Sequence, residues 1–318
     1  MRLIITGAGG FVGRNALLGL PRSWHIAAVH RPGDEAFRAF LRTHELGHVV
    51  PVACDLTDAA QVAQVAHDIG LEWDSCLYLA SNTSIPLSIE RPAFDLTTNT
   101  IGLLNTLEHW SFDHLVYLSS GAVYIGLSGL VGAETPVAPT LPYAISKLAS
   151  EQYIQAFVRH RGRPRRATIV RFFGAFGPYE PPRKLYTKLV RRFAIERNPA
   201  FTIIGDGENY IDAMYVNDAV HALHLILEAP PDEGVRTVDL GVGARETVNE
   251  VVLRAAHVFG IEPQIEHTGD SPEYITFAID PSVFARQYGF APSVSLEEGF
   301  QRLAAHLQSA EGGTACDK

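Results

Sequence analysis

A short apolar run that breaks on glycines and re-forms as a helix constrains this chain more than any other feature. Residues 2–6 read as a strand, Gly7-Ala8-Gly9-Gly10-Phe11-Val12-Gly13 follows, and residues 11–20 carry helical periodicity. Gly7, Gly10 and Gly13 stand in a G-x-x-G-x-x-G spacing. The first glycine allows a tight turn, the second lets the backbone approach a pyrophosphate, and the third lets the helix pack on the strand. The helix N-terminus adds free N–H groups and a dipole that favour an anion. The spacing therefore predicts a dinucleotide site in which Gly7, Gly10, Phe11, Val12 and Gly13 surround the phosphates.

The rest of the first half agrees with that start. Candidate strands at residues 25–30, 48–52, 75–80, 114–119 and 167–172 alternate with helical stretches at 35–46, 59–69, 92–110 and 143–161. Alternation at this spacing means right-handed βαβ units and a parallel sheet. Nearly continuous apolar strands mean helices on both faces. The expected fold is α/β, a Rossmann-type doubly wound parallel sheet with a smaller α/β C-terminal substrate lobe. Beyond Gly174 the pattern loosens, with Pro178, Pro181 and Pro182 in a loop. Helices are expected near 184–197, 216–228, 247–259 and 296–308, with short strands near 201–204 and 235–240. The domain reading is 1–173 for dinucleotide binding and 174–310 for the substrate lobe, with a return of the chain to the first domain left open. A flexible tail is expected at 311–318.

Bulk properties exclude several classes. With 47% apolar and 19% charged residues over 318 positions, the chain is globular rather than disordered. A net charge of −9 argues against nucleic-acid binding, which needs a basic face. Cys54, Cys76 and Cys316 are too few and too scattered for a disulfide framework or a zinc site. No apolar run reaches the ~18–20 residues of a membrane span, and Met1 leads straight into a strand without a signal peptide, so a cytoplasmic protein is expected. The thirteen histidines form no H-x-x-x-H or Cys/His pattern, so no metal is expected. His109 and His114 read as a helix cap and a surface group, and Leu96, Ile101, Leu104 and Trp110 as ordinary helix packing.

Position 31, at the end of the second strand, bears on the cofactor. A carboxylate there accepts from a ribose 2′-hydroxyl, but this chain has Arg31, which suits a 2′-phosphate. NADP is thus slightly preferred over NAD. Asp55, after the third strand, is either an adenine contact or part of the helix cap that starts near Asp58.

Tyr143 and Lys147 lie four residues apart, on one helix face. A phenol titrates near ~10 and is a poor base at neutral pH. A nearby ammonium favours the phenolate, so Tyr143 can exchange a proton with an alcohol as hydride moves. Ser120 ends the fifth strand, where the carboxyl edge of an open sheet faces the ligand. Its hydroxyl can hold the reacting oxygen.

Taken together, the loop at 7–13, Asp55, Ala80-Ser81, Asn99-Thr100-Ile101-Gly102-Leu103-Leu104-Asn105, Ser120, Tyr143/Lys147, Gly205-Asp206-Gly207 and Tyr215-Val216-Asn217-Asp218 resemble the extended short-chain dehydrogenases/reductases. The nucleotide-sugar epimerases, dehydratases and 4-ketoreductases are the similar subgroup, over about residues 1–308. The resemblance implies that Ser120, Tyr143 and Lys147 are catalytic. It implies a cofactor site that also takes in Leu56, Ala80, Asn99, Ser119 and Phe173, with Ser81 and Gly174 on the substrate side. It further implies a homodimer through the helices near 92–110 and 143–161.

Departures from the family pattern narrow the chemistry. The 4,6-dehydratases have an Asp-Glu pair after the catalytic Ser/Thr; here Gly121 and Ala122 follow Ser120. The 3,5-epimerising reductases carry a Cys at the second of these positions. The remaining expectation is an NAD(P)-dependent 4-epimerase or 4-ketoreductase of a nucleotide sugar. The family's substrate-phosphate Asn is replaced by Gly174, and its diphosphate Arg by Ile211. The diphosphate would then meet Arg183, Lys184, Lys188 or Arg191, unless these are a solvated basic face. The alternatives are a non-nucleotide alcohol or ketone as substrate, and a cofactor-binding regulatory protein without turnover.

Overall fold

Seven parallel strands form the central sheet, in the order Gly234–Leu240, Arg166–Phe172, Ser111–Ser120, Glu72–Tyr78, Arg2–Thr6, His25–His30, Val49–Ala53. The computed structural model describes residues 1–70, 72–269 and 275–315. The strand order reverses between Arg2–Thr6 and Glu72–Tyr78, whose carboxyl ends pair Thr6 with Tyr78. A crevice opens at such a switch point, and the glycine loop sits in it.

Both faces of the sheet are covered. Leu3, Ile5 and Ile26 pack with Leu17, Leu223 and Ile226 on one side. Ile4, Leu115 and Tyr117 pack with Leu103, Leu107 and Ile154 on the other. The odd and even residues of Arg2–Thr6 thus go to opposite layers, as the period of a strand requires.

The separate lobe has its own core of Phe176, Leu189, Phe193, Val252, Phe300 and Leu303. Two segments beyond position 173 pack in the central layers. The strand Gly234–Leu240 pairs residue by residue with Arg166–Phe172. The helix Val216–Glu228 lies on the first helix so closely that a Cβ at Gly19 would stand 2.8 Å from Val220 Cγ1. Their apolar faces need the sheet, so a single boundary at 173/174 does not divide the structure. The last helix runs Leu296–Ala315 and takes in positions 311–315, which had been expected as a flexible tail. Once a helix is nucleated, each added residue gains a hydrogen bond. Residues 316–318 lie outside the described residues. Among those described, no helix is long and apolar enough to cross a membrane.

The helix expected over 92–110 is three pieces: Pro92–Leu96, a π-helical turn Thr97–Ile101 and Gly102–His109. The wide turn carries Asn99 inward. His114, expected at the surface, is buried in the fifth strand with Nε2 3.0 Å from Thr168 Oγ1. Burial pushes its pKa down to about 4. Leu96 and Ile101 are 45% and 39% exposed, so half of the supposed packing stripe faces outward.

Candidate active site

One cavity of about 680 Å3 runs along the carboxyl edge of the sheet, from the glycine loop to the lobe. Its first part is shaped by backbone that no side chain could replace. Gly7 has φ +66, and a Cβ there would stand 2.8 Å from Ala80 N. A Cβ at Gly13 would meet Gly7 O at 2.5 Å. The helix Phe11–Gly19 begins at Gly10 with no side-chain cap, so its first N–H groups remain available to an anion. This cradle fits the pyrophosphate of a dinucleotide.

Asp55 and Leu56 line the same part. Asp55 Oδ1 accepts from Thr57 N and Oγ1, while the helix cap is Asp58, which accepts from Ala60 and Gln61 N–H. The two roles that the sequence left together are therefore separate. Asp34 is the main residue missed here. It lines the cavity, caps the helix Glu35–Thr43 by accepting from Phe37 N, and brings Oδ2 to 2.6 Å from where a Gly9 Cβ would be. A carboxylate thus stands against the glycine loop next to Arg31, reached by the turn through Gly33 (φ +77). The three-residue offset hid it in the sequence.

Farther along, Ser120, Tyr143 and Lys147 line the cavity together. The helix Pro142–Arg161 starts with proline at its first position, where a backbone N–H would have no partner within the helix. Tyr143 N donates to Ser88 Oγ. Lys147 is 3% exposed, donates from Nζ to Leu118 O at 2.7 Å and lies over the Tyr117 ring. Desolvation pushes its pKa down to about 7, against the pull of Glu151 and Asp95. Ser120 Oγ accepts from Ala122 N, which leaves its O–H free to donate.

Behind this pair is a buried polar network. Glu151, one turn past Lys147, accepts from Ser119 Oγ at 2.5 Å and from Arg171 Nη2 at 2.9 Å. Arg171 also donates to Tyr124 Oη, which donates to Asp239. Burial and the neighbouring Glu151 raise the Asp239 pKa to about 6, against Tyr124 and Arg171. A second network centres on Asp95, fully buried. It accepts from Asn82 Nδ2, Asn99 Nδ2 and Ser146 Oγ at 2.7, 3.0 and 2.6 Å. Asn99 Oδ1 accepts from Asn82 N and Ser81 Oγ.

Not every expected site residue reaches the cavity. Asn99 does not line the cavity; its amide is spent holding the Ser81–Asn82 loop to the catalytic helix. Ser119 and Ser81 line it, but their hydroxyls are donated to Glu151 and to Asn82 O and Asn99. Ala80, Phe173, Gly174 and Lys184 line it. Arg183, exposed ahead of the helix Leu185–Val190, and Arg191, which follows that helix, do not.

The lobe supplies the remaining wall, including Glu180, Tyr210, Ile211, Asp212, Ile275 and Phe277. Tyr179 has φ +68 and its ring is anchored by His44 and Arg14, so the chain turns Glu180 inward. Glu180 accepts from Thr187 N and Oγ1, and burial raises its pKa to about 7. Apart from Ile211, which stands where the family pattern has an arginine, no spacing in the sequence marked these lobe residues, because they come from three separate segments.

The model of the NAD dependent epimerase/dehydratase family matches residues 3–241. A dTDP-glucose 4,6-dehydratase of Mycobacterium tuberculosis is 28% identical over 321 residues, covering 95% of this chain and 91% of that protein. The UDP-glucose 4-epimerase of Thermotoga maritima, solved with UDP-glucose, superposes with a TM-score of 0.83 at 23% identity, over 98% of this chain and 100% of that one. The UDP-glucuronic acid 4-epimerase of Bacillus cereus, solved with UDP-glucuronic acid and NAD, gives 0.84 at 21% identity over the same shares. At such identities the two structures are similar in fold.

Proposed function

Because the chain belongs to the NAD dependent epimerase/dehydratase family, we propose that it moves a hydride between NAD and a secondary carbinol of a sugar-like ring, as a 4-epimerase or 4-ketoreductase. The observation that carries this reading is the meeting of Tyr143, a buried Lys147 and Ser120 in the cavity that the glycine cradle opens. When bound, the nicotinamide supplies the hydride acceptor. Ser120 donates its O–H to the reacting oxygen. The Lys147 ammonium favours the phenolate form of Tyr143, which takes the hydroxyl proton and becomes a neutral phenol. An epimerase would return hydride to the other face of the ketone, with Tyr143 giving the proton back. A ketoreductase would release the product after one transfer.

The 4,6-dehydratase name of the relatives is not carried over, because Gly121 and Ala122 line the cavity where that chemistry needs an acid and a base. NAD is favoured over the NADP that Arg31 suggests. The Asp34 carboxylate against Gly9 would accept from a ribose 2′-hydroxyl and repel a 2′-phosphate. Exposed Leu96 and Ile101, with Ile145 and Tyr153 at 46% and 47%, make an apolar face suited to a second copy of the chain.

The test is mass spectrometry of nucleotide released on denaturing freshly purified protein. Near-stoichiometric NAD supports an epimerase, which regenerates its cofactor in each cycle. An empty site that binds NADH reversibly supports a reductase. Retained NADP would remove the Asp34 argument, and a site that binds neither nucleotide would remove the whole reading.

A further inference from the structure

Lys147 is a buried cation with no bonded anion, and Asp95 is a buried anion with no bonded cation. Lys147 donates to a neutral carbonyl, Leu118 O, and lies over the neutral ring of Tyr117. Asp95 is fully buried, and its donors Asn82 Nδ2, Asn99 Nδ2 and Ser146 Oγ are neutral as well. A buried charge is strongly disfavoured unless an opposite charge stands near it.

The fold sets the two side by side. Asp95 belongs to the helix Pro92–Leu96, which packs on the catalytic helix Pro142–Arg161. Its Oδ2 accepts from the hydroxyl of Ser146, the residue before Lys147, at 2.6 Å. Asn99 Nδ2 bridges the same two residues, at 3.0 Å from Asp95 Oδ1 and 3.0 Å from Ser146 Oγ. Thr100 Oγ1 donates to Ser146 O, and Ser88 Oγ accepts from Tyr143 N. One stretch of chain therefore fixes both the carboxylate and the turn that carries Tyr143 and Lys147.

The other charges around Lys147 are matched or turned outward. Glu151, one turn along the same helix, pairs with Arg171 of the strand Arg166–Phe172 at 2.9 Å. Arg171 also reaches Tyr124, which holds Asp239 of the strand Gly234–Leu240. Glu90 and Arg91, just before the helix of Asp95, are exposed. Toward the far end of the catalytic helix Glu108 faces Arg161, and Asp113 of the fifth strand meets Arg166. Among the described residues, Asp95 is thus the unmatched carboxylate beside Lys147. Burial presses Lys147 toward the neutral amine, and Glu151 and Asp95 oppose it.

We propose that Asp95 is a positioning residue whose carboxylate is the counter-charge that keeps Lys147 an ammonium. The proposal rests on the hydride-transfer reading above and adds to it a residue outside the cavity. Unlike charges attract through the protein without touching, so the effect requires only a fixed separation, which Ser146 and Asn99 hold. A neutral amine at 147 would no longer favour the phenolate of Tyr143. Asp95 therefore acts on proton transfer through Lys147.

The chain has four lysines, Lys147, Lys184, Lys188 and Lys318, so carbon-13 lysine labelling gives few signals, and Lys147→Met identifies the one required. The NAD-loaded protein is titrated by NMR on that side chain. Asp95→Asn removes the charge and keeps a hydrogen-bonding amide, and it is expected to lower the Lys147 midpoint by about one unit. Ser146→Ala removes a bond, keeps the carboxylate, and should leave the midpoint nearly in place. An unmoved midpoint in Asp95→Asn, or an equal fall in Ser146→Ala, overturns the proposal. Urea unfolding below the Lys147 midpoint gives a second reading. The double variant Asp95→Asn/Lys147→Met should be more stable than the sum of the two single losses predicts; additive losses overturn the proposal. If Asp95→Asn alone does not fold, a folded double variant supports the proposal and an unfolded one overturns it, since Asp95 is then required without Lys147. A wild type that does not bind NAD would count against the hydride-transfer reading alone, because the Lys147 midpoint is read in the empty protein as well.

Discussion

Around Ser120 and Tyr143 the protein buries Lys147, Glu151, Arg171 and Asp95, and each is held by hydrogen bonds: Lys147 to Leu118 O, Arg171 to Glu151, and Asp95 to Ser146. On the other side of Phe173 the same cavity is walled by Ile211, Ile275 and Phe277. The contrast teaches where geometry must be fixed and where only shape is required. Proton transfer needs its partners within about 3 Å of each other. The reactive end is therefore held by directional bonds between the fifth and sixth strands and the catalytic helix. An apolar wall needs only volume, which hydrocarbon side chains from unrelated segments supply.

The comparison breaks hardest at Tyr143. Tyr143→Phe should lower turnover by ~10²–10⁴-fold with NAD affinity held; a loss under tenfold in steady-state rate would take the acid/base role away. Next comes the network behind it. Arg171→Ala leaves Glu151 buried without its cation and should cost roughly 3–5 kcal/mol in urea unfolding. Arg171→Met combined with Glu151→Leu should recover most of that. A single variant as stable as wild type would mean that the pair does not hold the reactive end.

Asp34→Ser sharpens the cofactor end, because serine keeps the helix cap while losing the charge. The preference for NAD over NADP, read as a ratio of Kd values, should fall by about tenfold, or ~1.4 kcal/mol. An unchanged ratio would return the choice to Arg31. The smallest effect is expected at Glu180. Its folded pKa is raised, so its contribution to stability is present below the unfolded value near ~4.5 and lost as pH rises through about 7. Glu180→Gln should therefore gain more Tm relative to wild type at pH 8 than at pH 5. A pH-independent difference would show that the carboxyl is not desolvated in the cavity.

Much of the reactive end is legible in the sequence. The glycine spacing, Ser120 at a strand end and the Tyr143/Lys147 interval are local patterns, and local patterns survive in a single sequence. Asn99 was legible as a motif but not in its role. The π-turn at Thr97–Ile101 directs it into the Asp95 network rather than the cavity. Asp34 was visible three residues from the expected place, and only the turn at Gly33 returns it to the glycine loop. The basic residues near 183–191 show the opposite error. Their charge suggested an anion site, yet of Arg183, Lys184, Lys188 and Arg191 only Lys184 lines the cavity.

By itself the sequence determined the alternating strands and helices, the dinucleotide cradle and the proton-transfer pair, since each depends on periodicity or on spacing within a few turns of chain. Tertiary structure decided which side of the sheet boundary Val216–Glu228 and Gly234–Leu240 belong to, which polar groups are spent on one another, and what lines the far end of the cavity. Those outcomes depend on contacts between residues far apart in the chain. A buried polar or apolar group is disposed of by whichever neighbour the fold brings within reach, and no interval in one sequence records that neighbour.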